Sequence, residues 1–324
     1  MAQIAVLGGG AWGTAMAVLW AESGHDVTLW VRNPAQAGAM AKTGRNDDYL
    51  PGAVIPPSVR IVTGDLPIAD IVFSTIPTQH SREYWEKLPK DKEFTLVIGS
   101  KGIEIASADF LPNIARQLLP KAKIAVLAGP GFAPEIVRKM PTAYIIAAGD
   151  MELSRALAQT LSTSSFRLYA SDDVVGASLG AVKNVIAIAA GIVEGAGMGD
   201  NTRAALITRG LAEISRLNNA LGGKPCTVLG LAVVGDVVLS ATSRQSRNYS
   251  IGVELGKGRR ITEIMQERKT SDEGVSTVEA VVKMADRLKV DMPISHTLYD
   301  ILKNGLKVSD AITLLMGRPL KEEA

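Results

Sequence analysis

From residue 3 to about residue 170, short β-rich apolar runs alternate with amphipathic stretches: IAVLG, VTLWV, IVFSTIP, TLVIGS, IAVLAGP, TAYIIAAG and FRLYA. That alternation predicts βαβ units and a mostly parallel, doubly wound sheet. Helices are expected between the strands, for example over residues 12–22, ending before Gly24, and over Met151–Leu161. After about Ser171 the β-branched runs give way to long Ala/Leu/Ile patterns, with few turn signals before Gly222 and Gly223, so the second half reads as all-helical. In TRAALITRGLAEISRLNNALGG, Leu206, Ile207, Leu211, Ile214 and Leu217 recur at helical spacing. Arg209 and Glu213 stand one turn apart, and Asp200 or Asn201 is expected to cap the start. The expected division is a dinucleotide-binding α/β domain over residues 1–170 and an all-α domain over residues 171–324. No Pro- or Ser-rich linker separates them, so the two should abut around a cleft.

Composition narrows the classes. With 324 residues, 47% of them hydrophobic, the chain can bury a large core. Its 35 Lys and Arg against 33 Asp and Glu leave a formal charge of +2, which gives no general attraction to nucleic acid or acidic membranes. Any anion site must therefore be local. Cys226 is the one cysteine, and His25, His80 and His296 are scattered, so neither an intrachain disulfide nor a metal site is expected. The start, MAQIAVLGGG, reads as a strand entering a glycine turn, not as a signal peptide. The apolar stretch 185–193, bounded by Lys183 and Glu194, reads as a buried helix and not as a membrane span. A small-molecule substrate in a reducing, cytoplasmic setting is the expectation.

The segment IAVLGGGAWGTAMA sets Gly8, Gly10 and Gly13 in GxGxxG spacing, directly after a strand and opening a helix. In that context the first glycine permits the turn and the second lets backbone approach a pyrophosphate. The third lets helix and strand pack closely, and the helix N-terminus offers N–H groups to the anion. A site selective for NAD usually carries Asp or Glu after the second strand, ~20 residues on, to hold the ribose 2′-OH. Here VTLWV is followed by Arg32 and Asn33, so NADPH should be accepted at least as well as NADH, unless Arg32 is simply a solvated surface residue. The missing carboxylate also counts against a methyltransferase using S-adenosylmethionine.

Four further segments look purposeful. SKGIE and AGPGFAPE place Lys101 and the Gly129-Pro130-Gly131 turn at carboxyl ends of strands, where ligands of open α/β sheets bind. LGAVKNVIAIAAG sets Lys183 among small apolar residues, where a desolvated lysine would become a usable acid or base. VVGDVVLSATSRQSRN offers Asp236, then Ser246, Arg247 and Asn248 before a helical pattern that ends at Gly256, an anion-binding arrangement. Taken singly, each has a bland alternative: solvated lysines, a cap, a helix start.

As a set these segments resemble the bacterial-type NAD(P)-dependent glycerol-3-phosphate dehydrogenases over about residues 4–317. The matching stretches are GGGAWGTA, NDDYLP, SKGIE, AGPGFA, GAVKNVIAIAAGI, GDNTRAALITRGLAEISRL, GD with QSRN, and DEG near Glu273. The resemblance implies reversible reduction of dihydroxyacetone phosphate to sn-glycerol 3-phosphate with NADPH or NADH, supplying phospholipid synthesis. It also implies a homodimer, and a Rossmann-like domain followed by a helical one similar to that of 6-phosphogluconate dehydrogenase. It assigns catalytic proton transfer to Lys183, and substrate binding to Lys183, Lys101, Gly129, Gly131, Asp236, Ser246, Arg247 and Asn248. Gly8, Gly10, Ala11, Trp12, Gly13, Arg32, Lys101, Ala133, Arg247 and Glu273 fall on cofactor-binding positions.

Three departures stand out. Ala11 replaces a common Ser, Gly131 stands where relatives usually carry Ser, Thr or Asn, and DDVVGASLGAVKN looks one residue short. The first two remove a side-chain donor and leave backbone N–H groups in place. Two rivals share part of this pattern. A two-domain reductase of another small acid, such as ketopantoate, should not need the QSRN phosphate site, and a non-catalytic nucleotide sensor could dispense with Lys183.

Overall fold

A computed structural model describes residues 1–268, 273–319 and 322; Asp272 of the DEG stretch lies outside them. The strands are β1 (Gln3–Leu7), β2 (Asp26–Trp30), β3 (Arg60–Val62), β4 (Ile71–Ser74), β5 (Thr95–Ile98), β6 (Ile103–Glu104), β7 (Asp109–Phe110), β8 (Lys123–Ala128), β9 (Thr142–Ala148) and β10 (Phe166–Ser171). Eight of them form one sheet in the order β10-β9-β8-β5-β4-β1-β2-β3, while β6 and β7 make a small antiparallel ribbon. Every neighbouring pair in the large sheet is parallel except β8 with β9. The order reverses about β1, so the carboxyl ends of β1, β4, β5 and β8 open on one edge beside a topological switch point.

Residues alternate between the two faces as a pleated strand requires. Ile4 and Val6 of β1 join a core with Trp20 and Phe73, whereas Ala5 and Leu7 join one with Trp85 and Leu96. All elements after β10 among the described residues are helical. Their core is built round Val185, Ile186, Ile188 and Ile192 of the helix Lys183–Gly195 and takes in Val126 and Ala128 of β8. The two halves thus share packed side chains. The helical run Val174–Gly195, counted with its preceding turns, is long and apolar enough to cross a membrane, but most of it is buried inside the protein.

The first helix is Ala11–Glu22, one residue longer than the pattern predicts. Met151–Leu161 falls where expected, capped by Asp150, which accepts from Glu152 N at 3.0 Å. The cap expected of Asp200 or Asn201 is a correction. The helix Gly199–Leu221 begins before both, with Met198 at its cap position and no side-chain cap. Gly197 and Gly199, at φ +69° and +84°, complete the reversal from the preceding helix, which leaves Asp200 in the first turn, paired with Arg203 at 2.7 Å. Glu213 turns inward and accepts from Ser295 N (3.2 Å) and Ser295 Oγ (2.8 Å) at the start of the helix Pro293–Tyr299.

Candidate active site

The glycine loop has the shape its spacing predicts. Gly8 lies at φ +122°, and a Cβ on Gly13 would sit 2.0 Å from Gly8 O, so strand and helix touch backbone to backbone. A Cβ on Gly10 would meet nothing within 4 Å: that glycine faces open space at the N-terminus of a helix that no side chain caps. Gly8 N donates to Trp30 O (3.0 Å), and Asn46 of the NDDYLP stretch donates to Gly9 O (2.9 Å) and Thr14 Oγ1 (2.7 Å). Arg32 is exposed just past β2, while Asn33 caps the next helix by accepting from Ala35 N at 2.9 Å. Ala133 is buried in a small cluster with Leu50, against which Ala11 and Trp12 pack. An open, uncapped helix end with a nearby cation fits the pyrophosphate and ribose phosphate of a dinucleotide.

At the carboxyl ends of β5 and β8 the two halves meet around one carboxylate. Asp236, 1% exposed, opens the helix Asp236–Thr242. Lys183 Nζ donates to Asp236 Oδ1 (2.6 Å) and Ser240 Oγ (2.8 Å); Lys101 Nζ donates to Gly129 O (2.7 Å) and pairs with Asp236 Oδ2. Side-chain exposure is only 20% for Lys101 and 14% for Lys183. Burial works to raise the Asp236 pKa, but the two ammonium groups outweigh it and hold the carboxylate below its usual range. Burial, aided by the neighbouring Lys183 charge, lowers the Lys101 pKa to about 8 against the pull of Asp236. An ammonium has three donors. Each lysine commits two to protein partners, leaving one for a ligand.

The third group is held by helix crossing. Ser246 caps the helix Arg247–Gly256, its Oγ accepting from Tyr249 N at 3.3 Å. That helix lies against Lys183–Gly195 through glycines: a Cβ on Gly191 would be 2.1 Å from Tyr249 O, and one on Gly252 would be 2.0 Å from Ile188 O. This contact brings Asn248 Nδ2 to Asn184 Oδ1 at 2.8 Å, next to Lys183 in the chain. Glu273, from the helix Glu273–Leu288, accepts from Thr78 N (2.7 Å) at the start of the helix after β4. Burial raises its pKa against that hydrogen bond and the charge of Arg247, which is exposed at the helix start.

The structure therefore gathers Lys101, Gly129, Lys183 and Asp236 in one hydrogen-bonded cluster. Ser246, Arg247, Asn248 and Glu273 lie alongside, reached through Asn184, and Gly8, Gly10, Ala11, Trp12, Gly13 and Ala133 gather at the glycine loop. Gly131 lies against Tyr144, and Arg32 is exposed just past the end of β2, next to Val31, which lies against Gly9 of the glycine loop. Ser240, Thr78 and Tyr144 also touch these residues, and motif reading misses them, while Asn184 stands beside Lys183 in its motif. Ser240 was within reach, since it follows Asp236 by one helical turn in DVVLS. Tyr144 carries no sequence signal, because only the antiparallel return of β9 brings it beside β8.

Fold and site together have the form of a two-domain nicotinamide-dependent oxidoreductase. Family models described as the NAD-dependent glycerol-3-phosphate dehydrogenase N-terminus and C-terminus match residues 3–154 and 173–313. The chain is 45% identical to a glycerol-3-phosphate dehydrogenase [NAD(P)+] of Rhodospirillum rubrum, over 99% of this chain and 94% of that one. It is 44% identical to the protein so named in Gluconobacter oxydans, over 99% and 98%. The crystal structure of glycerol-3-phosphate dehydrogenase from Coxiella burnetii superposes with a TM-score of 0.92 at 33% identity, covering 98% of this chain and 99% of that one. The chain belongs to the NAD-dependent glycerol-3-phosphate dehydrogenase family.

Proposed function

We propose that, in the reaction of its family, the reversible NAD(P)H-dependent reduction of dihydroxyacetone phosphate to sn-glycerol 3-phosphate, this chain uses Lys183 as proton donor and acceptor. The observation that carries this reading is the shared carboxylate: Asp236 fixes Lys183 and Lys101 side by side, each with one N–H left over. When bound, the nicotinamide supplies the hydride to C2 of the ketone. Lys183, as the ammonium, gives its proton to the oxygen that becomes the hydroxyl; in the oxidative direction the neutral amine takes it back. Asp236 and Ser240 hold Nζ in place, so little reorganisation is needed as charge develops.

Lys101 and the N–H groups of the Gly129-Pro130-Gly131 turn orient the substrate, and Ser246, Arg247 and Asn248 grip its phosphate at a helix N-terminus. Gly8, Gly10, Ala11, Trp12, Gly13, Arg32, Ala133, Arg247 and Glu273 hold the dinucleotide. Residues 1–170 carry the cofactor and residues 171–324 the proton chemistry. A cytoplasmic homodimer completes the proposal; the resemblance supports the pairing, and the free, exposed Cys226 supports a reducing compartment. The test is Lys183→Ala. It should bind NADPH almost normally by fluorescence titration, yet lose roughly 10²- to 10⁴-fold in kcat. A near-normal kcat would refute the role.

A further inference from the structure

Tyr144 lies in β9, 1% exposed, and the antiparallel register that sets Ile145 against Ala128 places it beside the turn following β8. Its ring sits in an aromatic column. Trp12 of the glycine loop stacks on it at 5.5 Å and 22°, and Phe166 lies tilted at 5.0 Å. The Lys101 ammonium is 5.6 Å from the ring centroid, within reach of a cation–π attraction.

Two glycines make room for this ring. A Cβ on Gly129 would lie 2.8 Å from its Cγ, and a Cβ on Gly131 would lie 2.5 Å from Oη. The hydroxyl thus occupies the space that the end of a polar side chain at position 131 would fill. Burial, together with the charge of Asp236, keeps the phenol protonated and able to donate. No hydrogen bond to another residue engages its Oη among the described residues, and this oxygen is not one of the fully buried polar atoms left unsatisfied. An unengaged hydroxyl with its oxygen beside Gly131 is able to donate to a ligand bound over that turn.

We propose that Tyr144 is a specificity-determining residue of the substrate site: its hydroxyl donates to an oxygen of the bound phosphorylated ketone over Gly131, and its ring holds the Lys101 ammonium against the same ligand. This rests on the assignment of Lys101 and Gly131 to that site. The donor lost at position 131 is regained from the neighbouring strand.

Steady-state kinetics on four variants of the full chain test the idea. Tyr144→Phe keeps the ring and should raise KM for dihydroxyacetone phosphate about tenfold, the loss of one hydrogen bond to a charged ligand. Its kcat, its KM for NADPH and its thermal midpoint should stay close to wild type, a split that a merely structural role would not produce. Tyr144→Val alone should be worse, and Gly131→Ser combined with Tyr144→Val should recover most of the lost affinity by moving the hydroxyl back to position 131. Unchanged KM in Tyr144→Phe, or a double variant no better than Tyr144→Val, overturns the proposal. Lys101→Met, run in parallel, separates the two levels. If it raises KM while Tyr144→Phe does not, only Tyr144 was misassigned; if it leaves KM unchanged, the substrate-site assignment fails and takes Tyr144 with it.

Discussion

Lys101 is charged at neutral pH but not far above it. Burial beside Lys183 lowers its pKa to about 8, so its ammonium is lost as pH rises through that value, some way below an ordinary lysine. Below pH 8 the charge is present and can meet an anionic substrate; above it the attraction fades. KM for dihydroxyacetone phosphate should therefore climb as pH passes 8, and Lys101→Arg, whose charge persists, should flatten the climb. A KM constant to pH 9.5 in the wild type would contradict this. Arg32 supports a second expectation at the same scale: Arg32→Glu should weaken NADPH selectively, measured as the ratio of the two cofactors' kcat/KM, and equal losses with NADH and NADPH would remove the 2′-phosphate role. Single residues were unevenly legible in the sequence. Lys101, Lys183 and Asp236 stand in motifs, but that they share one carboxylate is a tertiary fact, since Asp236 lies 135 and 53 positions away from them.

The elements explain why those side chains meet. The helices Lys183–Gly195 and Arg247–Gly256 approach until backbone touches backbone, at Gly191 and Gly252 and again where a Cβ on Gly195 would lie 2.1 Å from Val253 O. Since Lys183 and Asn184 begin one helix and Arg247 and Asn248 the other, this crossing sets the distance between the proposed proton donor and the proposed phosphate site. Gly252→Ala should push the helices apart, lower the thermal midpoint and depress kcat/KM together, with overpacking costing about 1–3 kcal/mol in a denaturant titration. An unaltered midpoint would show that the crossing can yield. Periodicity predicted both helices, because each is amphipathic or uniformly buried. It did not predict their crossing, since a glycine in a helix reads locally as a weak spot and reveals its use only against a partner. The helix Gly199–Leu221 shows the same limit: its polar residues predict a cap at Asp200 or Asn201, whereas glycines at positive φ start the helix earlier.

Across the whole molecule the halves are joined through the site itself. Lys101 reaches Asp236 and Thr78 N reaches Glu273, while the sheet's β8 contributes to the helical core, so the sheet and the helix that carries Lys183 are held in one packed body. The mostly parallel sheet and the change to helix after β10 were legible because each rests on local pattern; the strand order with its switch point and the shared core were not, because they depend on which elements meet. With a formal charge of only +2, selectivity for an anionic substrate must come from the cleft and not from the overall field. The most direct measurement is NADPH oxidation with dihydroxyacetone phosphate against unphosphorylated dihydroxyacetone. Two charged hydrogen bonds at Arg247 and Asn248 should favour the phosphate ester in kcat/KM by at least about a hundredfold, and Arg247→Ala should remove much of that preference. Equal rates with the two ketones, or a preference that survives Arg247→Ala, would contradict the phosphate site and point to another 2-oxo substrate.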